Sequence, residues 1–252
     1  MRNFLLSLFL LAACASAFAQ GGPPYYTNDP GTPGNLNWEI NVAYMPFLYS
    51  NQSVSHVPDL DINFGVGDRI QLTYENAWLR VQNPGVPVAY GLGQSNTGVK
   101  WRFLDHGENG LNLSTFPQIF VNNPNDAVKR GITPASQSLL LPLEISHKLG
   151  PVDVDAEIGY TLVHKGPDGW IAGLVIGHDF SEKLEGDFEL YSSGTFHPAE
   201  QQPTIGLGAR YKITPSVILL LMSSRSLESQ APNQAYFSGY FGVQFLFPTK
   251  HK

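Results

Sequence analysis

Apolar and polar residues alternate along most of this chain with a period of two, the spacing at which successive side chains of an extended strand point to opposite faces. The pattern is clearest over 148–162, KLGPVDVDAEIGYTL. There Val152, Val154, Ala156, Ile158, Tyr160 and Leu162 share one face, and Asp153, Asp155, Glu157, Gly159 and Thr161 share the other. One such strand also suits a soluble sheet with a wet side. Recurrence is what carries the argument, and the same grammar returns in segments of about ten residues, the length a tilted strand needs to cross a bilayer.

Twelve segments are predicted. Over 36–45, Leu36, Trp38, Ile40, Val42 and Tyr44 oppose Asn37, Glu39 and Asn41; over 59–66, Leu60, Ile62, Phe64 and Val66 oppose Asp59, Asp61 and Asn63. A tight turn at Gly67 and Asp68 leads to Ile70, Leu72, Tyr74 and Trp78 against Gln71, Thr73 and Glu75. Next, Thr97, Val99, Trp101 and Phe103 oppose Lys100 and Arg102. The fifth segment, near 111–121, holds Pro117 and has Phe116 and Phe120 on its polar side. The sixth, 138–148, holds Pro142 and sets Leu139, Leu141, Leu143 and Ile145 against Glu144 and Lys148. A proline removes a ladder donor, so both predict bulges.

After 152–162 come 170–180, with Trp170, Ala172, Leu174 and Ile176 against glycines and Asp179, and then Leu184, Gly186, Phe188 and Leu190 against Glu185, Asp187, Glu189 and Tyr191. Ile205, Leu207, Ala209 and Tyr211 oppose Arg210 and Lys212. The eleventh, 217–225, is too uniformly apolar to give a register. The last sets Phe237, Gly239, Phe241, Val243, Phe245 and Phe247 against Tyr236, Ser238, Tyr240 and Gln244. Twelve is an even number, as single-chain bacterial barrels require.

The connections alternate in length. Short ones at 67–69, 149–151, 181–183 and 214–215 separate long ones at 46–58, 81–95, 122–137, 163–169, 194–203 and 226–233, with 104–110 a longer turn on the short side. Short inner turns and long outer loops suit a transmembrane barrel. Trp38, Phe103, Phe180 and Tyr211 fall at predicted inner strand ends and Tyr44, Trp78, Tyr160 and Trp170 at outer ends, as girdles of interfacial rings require. A secreted β-sandwich with one wet face is the competing architecture. It does not explain so many alternating strands without a second buried face. The fold expected is therefore all-β: a closed, up-and-down antiparallel transmembrane barrel over 36–247.

Composition agrees, since charged residues are only 14%, aromatics 12%, and Gly and Pro number 25 and 19, a mix for short strands and turns. Residues 1–19 have the form of a secretory signal, with Arg2, the apolar run 4–13 and Ala17-Phe18-Ala19 before Gln20. The rival site Leu11-Ala12-Ala13-Cys14 would make Cys14 a lipidated first residue. Cleavage at the first site removes the single cysteine, and with it disulfide and thiol chemistry. It also removes Arg2, leaving 14 basic against 21 acidic residues, so the mature chain is negative by about seven charges and unsuited to nucleic acid. Residues 20–35, QGGPPYYTNDPGTPGN, cannot hold a ladder and form a leader, either a periplasmic tail or a plug in the lumen; 248–252 form a tail.

Several stretches resemble a known family of outer-membrane β-barrels named for transport in the meta-pathway of phenol degradation. They are Pro23-Pro24-Tyr25-Tyr26-Thr27-Asn28-Asp29-Pro30, Asn37-Trp38-Glu39, the hairpin 62–72, Gly98-Val99-Lys100-Trp101-Arg102-Phe103, Leu141-Pro142-Leu143, and His147-Lys148-Leu149-Gly150. The family more often has two acids before the leader proline, where this chain has Asn28 and Asp29. The end of the chain resembles the C-terminal signal read by the outer-membrane assembly machinery, through Tyr240, Gly242, Phe245 and Phe247. The resemblance implies location in the outer membrane and a bilayer and small-molecule solutes as partners.

Catalytic and metal chemistry finds little footing. The histidines at 56, 106, 147, 164, 178, 197 and 251 have no metal-ligand spacing, there is no His-x-Ser pair of the kind used by outer-membrane phospholipases, and the glycine pairs 91/93 and 206/208 precede no helix. No cofactor, metal or catalytic residue is therefore expected. The candidate functional residues are the inward charges. Glu39, Asp59, Asp61 and Glu75 form one acidic sector, and Asp153, Asp155, Glu157, Asp179, Glu185, Asp187 and Glu189 another. Lys100 with Arg102, Arg210 with Lys212, and Glu144 with Lys148 complete the set. They line either a water-filled path or a salt-bridged, closed interior, since twelve strands lie between filled and open barrels. The expected function is passive passage of small molecules, aromatic or apolar ones being suited by inward Phe116, Phe120, Tyr191, Tyr236 and Tyr240. A lipid-modifying enzyme and a closed structural or adhesive barrel are the alternatives.

Overall fold

The computed structural model describes residues 22–249 except 108, 124–125, 198 and 229–233. The expected signal 1–19, Cys14 and the last residues of the tail lie outside the described residues. The strands are β1 (Trp38–Leu48), β2 (Ser53–Val66), β3 (Ile70–Gln82), β4 (Ala89–Leu92), β5 (Ser95–Asp105), β6 (Asn112–Thr115) and β7 (Gln118–Val121), followed by β8 (Gln137–Leu149), β9 (Val152–His164), β10 (Gly169–Asp179), β11 (Leu184–Thr195), β12 (Glu200–Thr214), β13 (Val217–Ser226) and β14 (Phe237–Phe247).

They build one closed antiparallel barrel of twelve walls. β4 and β5 both pair with β3 and form one wall, while β6 and β7 both pair with β5 and β8 and form another. Closure is β1 against β14, from Trp38 opposite Phe247 to Leu48 opposite Phe237. Closure satisfies every edge, which a lipid-facing sheet needs because no water reaches its backbone.

The faces are inverted relative to a soluble protein. Ile158 is 60% exposed and Leu207 65%, whereas Glu144, Glu157 and Glu189 inside are at most 1% exposed. A sandwich would cover the apolar face with a second sheet; here a single sheet turns it outward. The rings of Trp38, Tyr44, Trp78, Phe103, Tyr160, Phe180 and Tyr211 all stand exposed, Tyr44, Trp78 and Tyr160 each four residues short of the strand end, while Trp170 is half-buried against Gly194.

Four expectations change. The connection predicted at 46–58 is a turn of residues 49–52, and that at 194–203 shrinks to 196–199, because β2 and β12 begin in polar runs that hydropathy does not mark. The connection at 81–95 carries the extra strand β4. Pro142 makes no bulge, since it pairs with Gly159 within an unbroken β8–β9 ladder. Its carbonyl accepts from the Thr115 hydroxyl (2.7 Å), so its missing donor faces the break between β6 and β7 where Pro117 sits. Two prolines thus share one gap. The unreadable register of 217–225 resolves with Leu220, Met222 and Ser224 inward, Leu219 and Leu221 facing their neighbours outward.

Candidate functional site

The candidate site is the barrel interior, and two parts of the chain enter it from opposite ends. From the inner rim the leader rises past Gly34, whose neighbourhood is pinned by Leu36 N–H donating to Gly65 O and by the Thr32 hydroxyl donating to Asp68 O. Tyr26 is its highest point, because it meets Tyr191 and Ser238 while Thr27 and Tyr25 meet acids lower on β11. The leader then turns back through Gly22, where Gly22 N–H donates to Thr27 O (2.7 Å) and φ is +76°. Residues 25–28 thus lie against the inward faces of β9 and β11, and 32–35 at the inner rim.

The acids of β9 and β11 accept from this segment. Thr27 gives both its N–H and its hydroxyl to Glu189 Oε1 (2.8 Å each), Asn28 N–H goes to Glu157 Oε2 (2.8 Å), and the Tyr25 hydroxyl goes to Asp187 Oδ2 (2.6 Å). The two buried cations do the converse. Lys100 Nζ donates to Asp29 O and sits 3.5 Å from Glu144, itself bound by Ser114; Arg210 donates to the carbonyls of Gly22 (3.3 Å) and Pro23 (2.8 Å) and lies 3.6 Å from Glu185. A segment without regular structure leaves its backbone groups unpaired, and inside a barrel charged side chains supply the partners. Inward Gly173 and Gly208 make the room: a Cβ on either would overlap Thr27 or Tyr25. Burial, and next the charge of Asp187, raises the Tyr25 hydroxyl, which donates to Asp187, and burial pushes Tyr26 up to about 12.

The other acidic sector is covered from outside. The loop after β7 folds into the outer mouth, with Ala127 and Ile132 buried against Ala77, Leu79 and Val81 of β3. Beneath it Asp61 Oδ2 accepts from Asn41 and Asn63 (2.9 Å each), Glu75 from Asn96 (3.0 Å), and Asp59 pairs with His56 (2.6 Å). Glu39, half-buried, accepts from Asn41 (3.2 Å) and borders a small cleft beside Lys100 and Arg210. The remaining expected residues sit at the inner end. Arg102 pairs with Asp105 (3.2 Å) and donates to Asp68 O, Lys148 pairs with Asp153 (3.2 Å), and Asp179 and Lys212 are half-buried near the last rungs of β10 and β12. Asp155 is buried and borders a cavity of about 360 Å³ between the leader and the inner turns.

Above Tyr26 lies a second cavity of about 260 Å³, walled by Tyr191 and Ser193 of β11, Gln202 and Thr204 of β12, and serines of β13 and β14. A third, of about 220 Å³, lies under the outer loop beside Asp59, Glu75 and Phe120. The leader contacts of Tyr25, Thr27 and Asn28, the buried loop residues Ala127 and Ile132, and the serine wall were not expected. Inward glycines opposite an otherwise charged row were the available signal for the first; the loop and the serines had none. Among the described residues no group of three or more His, Cys, Asp or Glu side chains is arranged to hold a metal.

The architecture is that of the outer-membrane β-barrels, and solved structures bear this out. The chain is similar to the COG4313 outer membrane channel from Pseudomonas putida F1, with a TM-score of 0.71 at 13% identity over 87% of this chain and 98% of that one. It is also similar to the KdgM porin (TM-score 0.57, 11% identity, 82% and 99% covered) and the NanC porin (0.57, 7%, 82% and 98%). At such identities the likeness shows the fold. No protein-family model matches the sequence, and no curated protein does.

Proposed function

We propose that the protein is an outer-membrane channel for small molecules, acting without catalysis, whose lumen is governed by the leader. The carrying observation is the pair of cavities, about 360 and 260 Å³, that face the inner and outer ends and are separated by residues 22–34 rather than by the barrel wall. A barrel closed for structural reasons alone has no need of open space on both sides of a segment that does not belong to its wall. The order of the short motifs along the chain, and the channels and porins among proteins of this fold, support the same reading. The inward charges named from the sequence then act in two groups: Glu144, Glu157, Glu185, Asp187, Glu189, Lys100 and Arg210 surround the leader, and the rest, apart from Asp61 in its wall network, face the cavities and the inner rim. Of the inward rings, Phe116 stacks on Lys100 (5.0 Å) and Tyr240 packs with Tyr25, while Tyr191 and Phe120 border open space. Passage of uncharged ring compounds is the finer part of the proposal.

Planar-bilayer conductance of the full chain and of a form lacking 22–33 tests it. The deletion should raise conductance several-fold while the barrel keeps its heat-modifiable migration. If neither form conducts although both are folded, the closed structural barrel is the right description.

A further inference from the structure

We propose that the outer cavity is a binding site for an uncharged, polyhydroxylated ring of monosaccharide size, with the leader residue Tyr26 as its floor. The inference deepens the transport reading and rests on it only for the solute's onward passage.

Three properties of the cavity select this class of ligand. The first is the absence of charge: none of its described lining side chains is ionised at neutral pH, in a lumen where every level below is crowded with carboxylates and cations. Glu189, two residues below Tyr191 on the same face, is turned to the Thr27 N–H and hydroxyl, so an anionic ligand finds no cation in the cavity to pair with. The second is the density of hydrogen-bonding groups. Nine of the eleven lining side chains carry a hydroxyl or an amide, and four adjacent strands contribute them at one height through the pairs Tyr191 with Thr204, Ser193 with Gln202, and Ser224 with Ser238. Some are already engaged, as in the chain from Tyr26 to Ser238 (2.6 Å) to Ser224 (2.5 Å). The Tyr191 and Ser193 hydroxyls and the Gln202 carbonyl oxygen have no partner among the described residues. A purely apolar solute would strip water from these groups and return nothing, whereas a polyol replaces each lost bond.

The third property is the flat apolar surface beside those groups. The Tyr26 and Tyr191 rings lie 5.2 Å apart at 35°, and Phe47 and Tyr49 close the opposite side. Rings of this kind cover the C–H face of a sugar while hydroxyls and amides read its rim. The volume, about 260 Å³, is below the range of roughly 300 to 1,000 Å³ for drug-sized ligands, so one ring fits and an oligomer must extend into solvent.

The test is calorimetric titration of the purified full chain in detergent micelles with methyl glucoside, glucuronate and phenol. Methyl glucoside should bind saturably and more tightly than either other probe. Tyr191→Ala should weaken it about tenfold and Tyr191→Phe much less, because the ring face contributes more than its hydroxyl. A form lacking 22–33 should also bind weakly, since it has lost the floor. Tighter binding of phenol or glucuronate, or no saturable binding by any probe, overturns the assignment. Titration needs no flux, so conductance without glucoside binding defeats this site alone, and binding without conductance defeats the transport reading alone.

Discussion

The acids on β2 and β3 and the acids on β9 and β11 are the same residue types on the same inward face of similar strands, yet different parts of the chain bury them. Glu157, Asp187 and Glu189 bind a segment that enters from the inner end, and two cations lie beside them. Asp59, Asp61 and Glu75 are bound by His56, Asn41, Asn63 and Asn96 of the wall itself, beneath a loop that enters from the outer end. The first sector is occupied by a segment from outside the barrel wall. The second is a self-contained polar network, and the difference lies in the neighbours rather than in the acids.

The largest effect should come from breaking the charge pairing peculiar to the first sector. Arg210 is 7% exposed, stands 3.6 Å from Glu185 and also holds two leader carbonyls. Arg210→Met leaves buried carboxylates without their cation, an expected loss of about 3 to 5 kcal/mol. Asp61→Asn in the second sector removes a charge from among amides and should cost far less. Equilibrium unfolding of both variants in one lipid system decides it, and equal costs would erase the distinction between the sectors.

The outward face supplies the scale for that comparison. Ile158 follows Glu157 directly and is 60% exposed, so the two neighbours belong to opposite solvents. Ile158→Arg should destabilise by about 2 to 4 kcal/mol in a bilayer. If it costs nothing there, that face does not meet lipid.

A smaller change separates the sectors by function. Glu189→Gln keeps the shape but weakens the acceptor for two Thr27 donors, at about 1 to 3 kcal/mol. Because the loss falls on the leader's seat, single-channel recordings should show more frequent or longer openings, whereas Asp61→Asn should leave the opening pattern as it was. Identical recordings from the two would mean that Glu189 does not hold the gate.

How far the sequence could show this follows from what strand alternation encodes. A period of two tells which face a residue takes, so the barrel, its even strand number and the inward position of Glu157, Glu189, Lys100 and Arg210 were all legible. It says nothing about what fills the space in front of that face. Thr27 and Asn28 meet acids 162 and 129 residues away, in a segment with no period at all. Ala127 and Ile132 lie in a stretch that resembles any polar loop, and the serines around the outer cavity carry neither charge nor hydrophobicity to mark them. The uniform apolar run of β13 hid its register because Leu220 and Met222 face inward, into a patch made apolar by Tyr25 and Tyr240.

The smallest expected effect belongs to an acid outside both sectors. Asp168, in the outer turn between β9 and β10, accepts Val163 N–H (2.9 Å) and the Tyr160 hydroxyl (2.8 Å), while its own carbonyl accepts Phe196 N–H (3.0 Å). The Val163 N–H, and next the Tyr160 hydroxyl, hold its carboxyl below the usual range. A carboxylate with a depressed value stabilises its loop at pH values above its ordinary one, near about 3.9, and the contribution disappears as the pH falls through the lowered value. The outer turn should therefore keep its order at neutral pH and loosen only in acid, with the Val163 amide losing protection there relative to its intrinsic exchange rate. Asp168→Asn should show that loss of protection at neutral pH and little further loss on acidification. If the variant keeps the wild-type acid dependence, another group controls the turn, and wall residues alone would not suffice to hold a carboxylate as they do beneath the outer loop.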